Sequence, residues 1–199
     1  MKNIANFLFE AGMLKRTPRT GFQFLGSGAE SVAEHSFRTS LIGYTLAQLD
    51  EKADAGRVVL LCLFHDIPEA RTGDLNYVNK KYVKVDERKA VEDLARTLPF
   101  GDDYRSLQYE FMARKTREAN IAHDADQLEM ILALKEYKDL GNRYADEWYP
   151  VTLKRLQTET ARALAETIWA TDSTRWWFDD DVDWWVRGVR RVDPSPDKC

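Results

Sequence analysis

Ten residues, RVVLLCLFHD at positions 57–66, limit the fold more than any other stretch of the chain. A helix that is apolar on nearly every side has no face to give to solvent, so it must be enclosed by other elements and lie in the core. Those other elements read as helices. The chain carries no hairpin dipeptide between alternating apolar runs and no regular succession of short β-branched segments. The decamer also ends unusually: Leu60 to Phe64 run straight into His65 and Asp66, and Glu69, Arg71 and Asp74 follow. Ionisable groups at the edge of a core are costly unless they are paired or bind a metal.

Helix signals recur on both sides. Ser31 followed by Glu34 is a capping box, in which each side chain satisfies the other residue's free backbone N–H, and it opens a helix running to about Leu49. The apolar helix is expected over about Ala53 to Asp66, with Pro68 stopping it by lacking a donor and pushing Ile67 out of the α region. In MKNIANFLFEAGMLKR, residues Ile4, Phe7, Leu8, Ala11 and Leu14 recur at helical spacing. Glu10 interrupts the apolar stretch and no small-residue cleavage site follows, so the segment reads as a docked amphipathic helix and not a signal peptide. Asp86 is a candidate N-cap for a helix presenting Val91, Leu94 and Leu98 on one face, broken at Pro99-Phe100-Gly101. Further helices are expected over about 104–113 and 116–140, with Gly141 ending the second, and over about 151–170 with Pro150 at its start. The expected fold is all-α, a single-domain helical bundle over residues 1–185. Residues 186–199 are expected to form a partly disordered tail, and the aromatics from 173 onward, four of the six tryptophans, to pack on the body or on a partner subunit.

Composition removes several function classes. With 199 residues and 44% hydrophobic content the chain can bury one sizeable core. A net charge of −4 argues against binding a nucleic-acid polymer but allows a small anion held by a few arginines. No apolar run approaches the ~18 residues of a membrane span. Cys62 and Cys199 do not make a disulfide framework, which points to a reducing, cytoplasmic location.

The chain has three histidines, and two are followed by aspartate, His65-Asp66 and His123-Asp124. One such dipeptide is ordinary surface chemistry; the combination is more informative. His35, the His65-Asp66 pair and the acidic residues Asp124 and Asp126 come from three separate helices. Two imidazoles and two carboxylates so placed could surround one divalent cation and leave positions open for water or substrate. Asp124 and Asp126 are about 200° apart on a helix, so only one can face that cation, and periodicity leaves the choice open.

VAEHSFR, LFHDIPEARTGDL and HDADQLEMILALKEY resemble the His, His-Asp, Asp signature of the HD-domain metal-dependent phosphohydrolases. With LKRTPRTG at 14–21 ahead of the first histidine, the set is similar to the 5'-deoxynucleotidase branch of that family. The resemblance implies hydrolysis of a deoxyribonucleoside 5'-monophosphate to a nucleoside and inorganic phosphate. It implies one divalent metal ion on His35, His65, Asp66 and Asp126, the last because ADQLE resembles the family's Asp-Lys-Leu-Glu pattern. Manganese, cobalt or iron suit such mixed ligands, and magnesium, nickel or zinc are allowed. Glu69 resembles the family's acid that protonates the departing 5'-oxygen, and Asp74 the residue that contacts the sugar and helps to exclude a 2'-hydroxyl. Arg16 and Arg19 are candidates for gripping the phosphate. Thr17 stands where some relatives place an aromatic residue. The family resemblance also implies a homodimer. Alternative chemistries are pyrophosphohydrolysis of an alarmone or triphosphate, di-iron oxygenation, for which only His123 is left as an extra ligand, and a non-catalytic sensor. A sensor would have no need of Glu69 and Asp74 beyond the metal ligands.

Overall fold

The structure is a computed structural model that describes residues 1–177 and Gly188. Its α-helices are α1 (Lys2–Met13), α2 (Val32–Gln48), α3 (Ala55–Phe64), α4 (Glu69–Thr72), α5 (Asn79–Tyr82), α6 (Glu87–Ala95), α7 (Gly101–Ala113), α8 (Arg117–Asp139), α9 (Ala145–Leu153) and α10 (Glu159–Ala170). A 3-10 turn covers Thr20–Phe24. Among the described residues no strand forms, only an isolated bridge between Pro18 and Ser31. Nor is any described helix long and apolar enough to cross a membrane.

The apolar decamer is central, as its composition requires. α3 packs against α2 and α8, and Val58, Leu61 and Cys62 are buried with Leu128 and Ile131 of the long helix. Burying each such side chain stabilises the fold by about 1.5–3 kcal/mol. Gly43 lets α2 and α3 close together: a Cβ added there would stand 2.5 Å from Cys62 Sγ. A short loop joins the two helices into an antiparallel hairpin, so the start of α2 and the end of α3 meet at one end of the bundle. A second cluster, with Phe7, Leu14, Val91, Leu94 and Tyr104, holds α1, α6 and α7 beneath that end.

Most helix starts follow the sequence. Ser31 and Glu34 form the capping box, and Asp86 and Thr116 cap α6 and α8 through their side chains. Gly141 ends α8 with φ at +94°, a conformation that favours glycine. Other boundaries differ. α3 stops at Phe64, because Pro68 leaves no donor to continue the ladder and the chain passes through tight turns, Ile67 N to Phe64 O at 3.1 Å and Glu69 N to Asp66 O at 3.0 Å, into α4. α7 begins at Gly101, at the break itself. Pro150 does not start a helix over 151–170: it lies inside α9, on an exposed face, and the chain breaks after Leu153 before α10 starts under a Thr158 cap. Leu8, expected on the docked face of α1, is 63% exposed, while Phe7 and Leu14 are buried. Trp176 is 86% exposed and does not pack on the body. Trp184, Trp185, the boundary at 185 and, apart from Gly188, the tail at 186–199 lie outside the described residues.

Candidate metal centre

Where the start of α2 and the end of α3 meet the middle of α8, four side chains from three parts of the sequence converge. His35 Nε2 lies 3.4 Å from His65 Nε2, 3.2 Å from Asp126 Oδ1 and 3.6 Å from Asp66 Oδ2. His65 Nε2 is 3.1 Å from Asp66 Oδ2. The other nitrogen of each ring explains why these edges face one another. His65 Nδ1 donates to the Cys62 carbonyl at 2.7 Å, and His35 Nδ1 donates to Glu129 Oε2 at 2.7 Å. With Nδ1 the donor in both neutral rings, two Nε2 lone pairs point at each other beside two carboxylates, an arrangement that calls for a cation.

The donor set fits a divalent metal ion. His35, His65 and Asp126 each offer one ligand atom within 4.8 Å of the others. Asp66 Oδ2 is buried and has no hydrogen-bond partner, the condition of a carboxylate oxygen kept for an ion. Without a cation, a proton takes its place. Burial and Arg19 lower the pKa of His35, but hydrogen bonds to Asp126 and Glu129 outweigh them and carry it to about 10. Asp66 holds at about 2, because His65, His35 and Arg19 overcome the cost of its burial.

Asp124 and Asp126 have separate duties. Asp124 is fully buried and turned toward the opposite side of α8, where it accepts from Gln157 N at 2.7 Å, Thr158 N at 2.8 Å and Thr158 Oγ1 at 2.7 Å. It ties α8 to the start of α10 and leaves Asp126 alone at the cluster. His123 is buried outside the cluster.

A cavity of about 530 Å³ opens beside the cluster and is lined by Arg19, His65, Asp66, Glu69, Asp74 and Asp126 among others. Glu69, the first residue of α4, has a buried Oε2 without a partner. Burial, then the negative charges of Asp66 and Asp74, raise its pKa to about 9, so it is neutral at physiological pH. Asp74 follows Gly73, whose φ of +72° turns the chain back toward the cavity. Its Oδ2 accepts from Thr20 N at 2.8 Å, and Thr20 Oγ1 donates to the Asp74 carbonyl at 3.0 Å. Arg19 reaches to 3.6 Å from Asp66 Oδ2. Arg16, by contrast, is exposed and lies outside the cavity lining.

Glu129 and Arg38 carry no role in the sequence reading, yet they complete the site. Glu129 is fully buried and accepts from Arg38 Nε at 3.0 Å and Nη2 at 2.6 Å as well as from His35. These contacts hold its pKa at about 2 despite burial. The signal was one helical turn: Glu129 follows Asp126 by three residues, as Arg38 follows His35, so each lies on its partner's face.

A family model described as HD domain matches residues 11–169. The chain belongs to the HD domain family. Among curated HD relatives, the 5'-deoxynucleotidase HDDC2 of Bos taurus is 33% identical over 148 residues, covering 71% of each chain. The human 5'-deoxynucleotidase HDDC2 is 31% identical over 150 residues, covering 71% of this chain and 72% of its own. Among solved structures, a predicted metal-dependent phosphohydrolase from Magnetospirillum magnetotacticum superposes with a TM-score of 0.67 at 27% identity, covering 84% of this chain and 89% of its own. The cluster at the ends of α2 and α3 and the middle of α8 lies within the matched residues.

Proposed function

We propose that this HD protein is a metal-dependent phosphomonoesterase that hydrolyses deoxyribonucleoside 5'-monophosphates to deoxynucleoside and inorganic phosphate. The carrying observation is that His35, His65, Asp66 and Asp126 converge at the edge of a cavity, lined by the last three of them, that also holds Glu69, a neutral acid that is not part of the cluster. The relatives' name, 5'-deoxynucleotidase, supports the same reading.

His35, His65, Asp66 and Asp126 would hold the cation, and manganese, cobalt or iron suit their mixed nitrogen and oxygen donors, with magnesium, nickel and zinc allowed. When bound, it lowers the pKa of water and polarises a phosphoryl oxygen. Arg19, whose contact with Asp66 is long at 3.6 Å, keeps donors free for a substrate phosphate. Glu69 gives its proton to the 5'-oxygen as the phosphorus–oxygen bond breaks, so the deoxynucleoside leaves neutral and the proton is restored from the water consumed. Asp74 accepts from the sugar's 3'-hydroxyl through Oδ1, since Oδ2 is held by Thr20, and the tied-down loop leaves no partner for a 2'-hydroxyl. Arg16 is left out of the phosphate grip because of its position.

The substrate is then a small-molecule deoxynucleotide and the compartment the cytoplasm. A homodimer is supported by Phe37, Leu41 and Tyr44, which expose an apolar stripe along α2.

The test is incubation of metal-loaded protein with dAMP, AMP, dATP and a guanosine tetraphosphate, following phosphate and pyrophosphate. Phosphate from dAMP and not from AMP is expected. Pyrophosphate release, or silence with every metal, overturns the reading.

A further inference from the structure

We propose that Tyr77 and Arg155 form the platform on which the nucleobase stacks. The inference rests on the deoxynucleotidase reading and concerns the part of the substrate that the candidate metal cluster does not touch.

A base is bonded to its sugar, so whatever holds the sugar fixes where the base can lie. Asp74 is the sugar contact proposed above, and Tyr77 follows it by three residues on the same loop. That loop is pinned on both sides of the tyrosine. Thr20 grips Asp74. The side chain of Asn76, itself buried, donates to Gln23 Oε1 at 3.3 Å and accepts from Val78 N at 3.1 Å and Asn79 N at 3.0 Å. Tyr77 is therefore held at a set offset from Asp74 while its side chain stays 56% exposed and lines the cavity.

The other half of the platform comes from the segment between α9 and α10. Arg155 places its guanidinium carbon 5.0 Å from the centre of the Tyr77 ring, and it too lines the cavity. Arg155 Nη1 donates to Gln127 Oε1 at 3.3 Å, and Gln127 Nε2 donates to Asp126 Oδ2 at 2.7 Å. Tyr77 is thus tied to the proposed sugar contact, and Arg155 through Gln127 to Asp126.

Other aromatics of the cavity are engaged elsewhere. Phe111 lies against the His65 ring at 4.9 Å, at the phosphate end. Phe22 is buried against Tyr137, and Trp148 leans on Phe24 at 6.4 Å. Thr17 bonds back to the Met13 carbonyl at 3.2 Å and offers no ring. A guanidinium plane and a phenol ring bind the π-face of any base, and stacking of this kind tolerates base identity. Gln127, between Arg155 and Asp126, already has its oxygen and its amide nitrogen each engaged in one bond.

The experiment compares wild type, Tyr77→Ala, Tyr77→Trp and Arg155→Ala, all metal-loaded. It reads kcat and KM for four deoxynucleoside monophosphates, equilibrium binding of dAMP, and inhibition by 2-deoxyribose 5-phosphate, which lacks a base. Loss of one stacked base predicts weaker nucleotide binding by roughly five- to a hundredfold in the alanine variants. The loss should be similar for all four bases, reside in KM more than kcat, leave the Ki of the base-free sugar within about twofold, and be restored in Tyr77→Trp. Equal weakening of the base-free sugar, a loss confined to one base, or no change overturns the platform. Binding is read without turnover, so a wild type that binds dAMP through Tyr77 yet does not hydrolyse it sinks the deoxynucleotidase reading and leaves the platform standing.

Discussion

His35 and Glu129 meet at 2.7 Å, with neither side chain in reach of solvent. This single hydrogen bond decides which nitrogen of His35 is free, because a carboxylate can only accept and so claims the Nδ1 proton. Arg38 neutralises Glu129 from behind through its Nε and Nη2. Glu129→Gln keeps the shape but can present its N–H₂ to Nδ1 and so invert the ring's tautomer. Metal affinity should fall by about 10–100-fold, as is usual when the partner of a metal-binding histidine is lost. Calorimetric titration of chelator-treated protein measures it; an unchanged affinity would mean that Glu129 does not position the ring.

Asp124 and Asp126, two residues apart on α8, should separate cleanly on mutation. Asp126→Ala removes a ligand atom and should abolish stoichiometric metal binding while the apo protein stays folded. Asp124→Ala should retain the metal but destabilise the fold by about 1–3 kcal/mol or more, because Gln157 N and Thr158 N lose their only side-chain acceptor at the start of α10. Metal content by elemental analysis and the urea midpoint of the metal-free proteins give the two readouts. Metal lost from Asp124→Ala with full stability would reverse the assignment.

These two aspartates mark how far the sequence alone could reach. Local signals were legible: the Ser31–Glu34 box, the Asp86 cap and the apolar decamer each depend on neighbours within a few residues. His65 and Asp66 stood out through the cost of charge at the end of a core helix, and His35 joined them as an imidazole from a separate helix. Whether Asp124 or Asp126 faced the cluster depended on Thr158, more than thirty residues away, and no periodicity in α8 encodes where α10 begins. Arg16 and Arg19 look alike in LKRTPRTG, and only the turn through Pro18, bridged to Ser31, sends one inward and leaves the other outside. Pro150 suits either the start of a helix or a position on an exposed helical face, and tertiary context selected the second.

Glu69 gives the pH dependence. Its pKa near 9 keeps it protonated at neutral pH, and the positive charge of a bound cation can only lower that value. The rate should therefore fall as pH rises through about 9 or somewhat below, with unit slope. Glu69→Gln should lose about 10²–10⁴ in kcat, keep its metal, and show no such limb. The sign for stability agrees. The native state retains a proton that the unfolded chain releases near 4.5, so this contribution is present below 4.5 and lost as pH rises toward 9. A wild-type rate that climbs steadily beyond pH 9.5 would show that Glu69 is not the acid.

Removal of the metal should cost stability in a way that identifies the site. In the apo protein the paired imidazole edges, the unpartnered Asp66 Oδ2 and Asp126 face one another with only protons between them. A cation that binds this arrangement and not the unfolded chain stabilises it by RT ln(1 + [M]/Kd), about 2.7 kcal/mol at a hundredfold excess over Kd. Chelation should lower the thermal midpoint, and manganese or cobalt should restore it in proportion to the logarithm of free metal. His65→Ala removes one ligand without touching Asp124 or the caps, so its midpoint should respond to metal far less than that of wild type. If wild type and His65→Ala respond equally, the stabilising cation is bound somewhere other than between these rings.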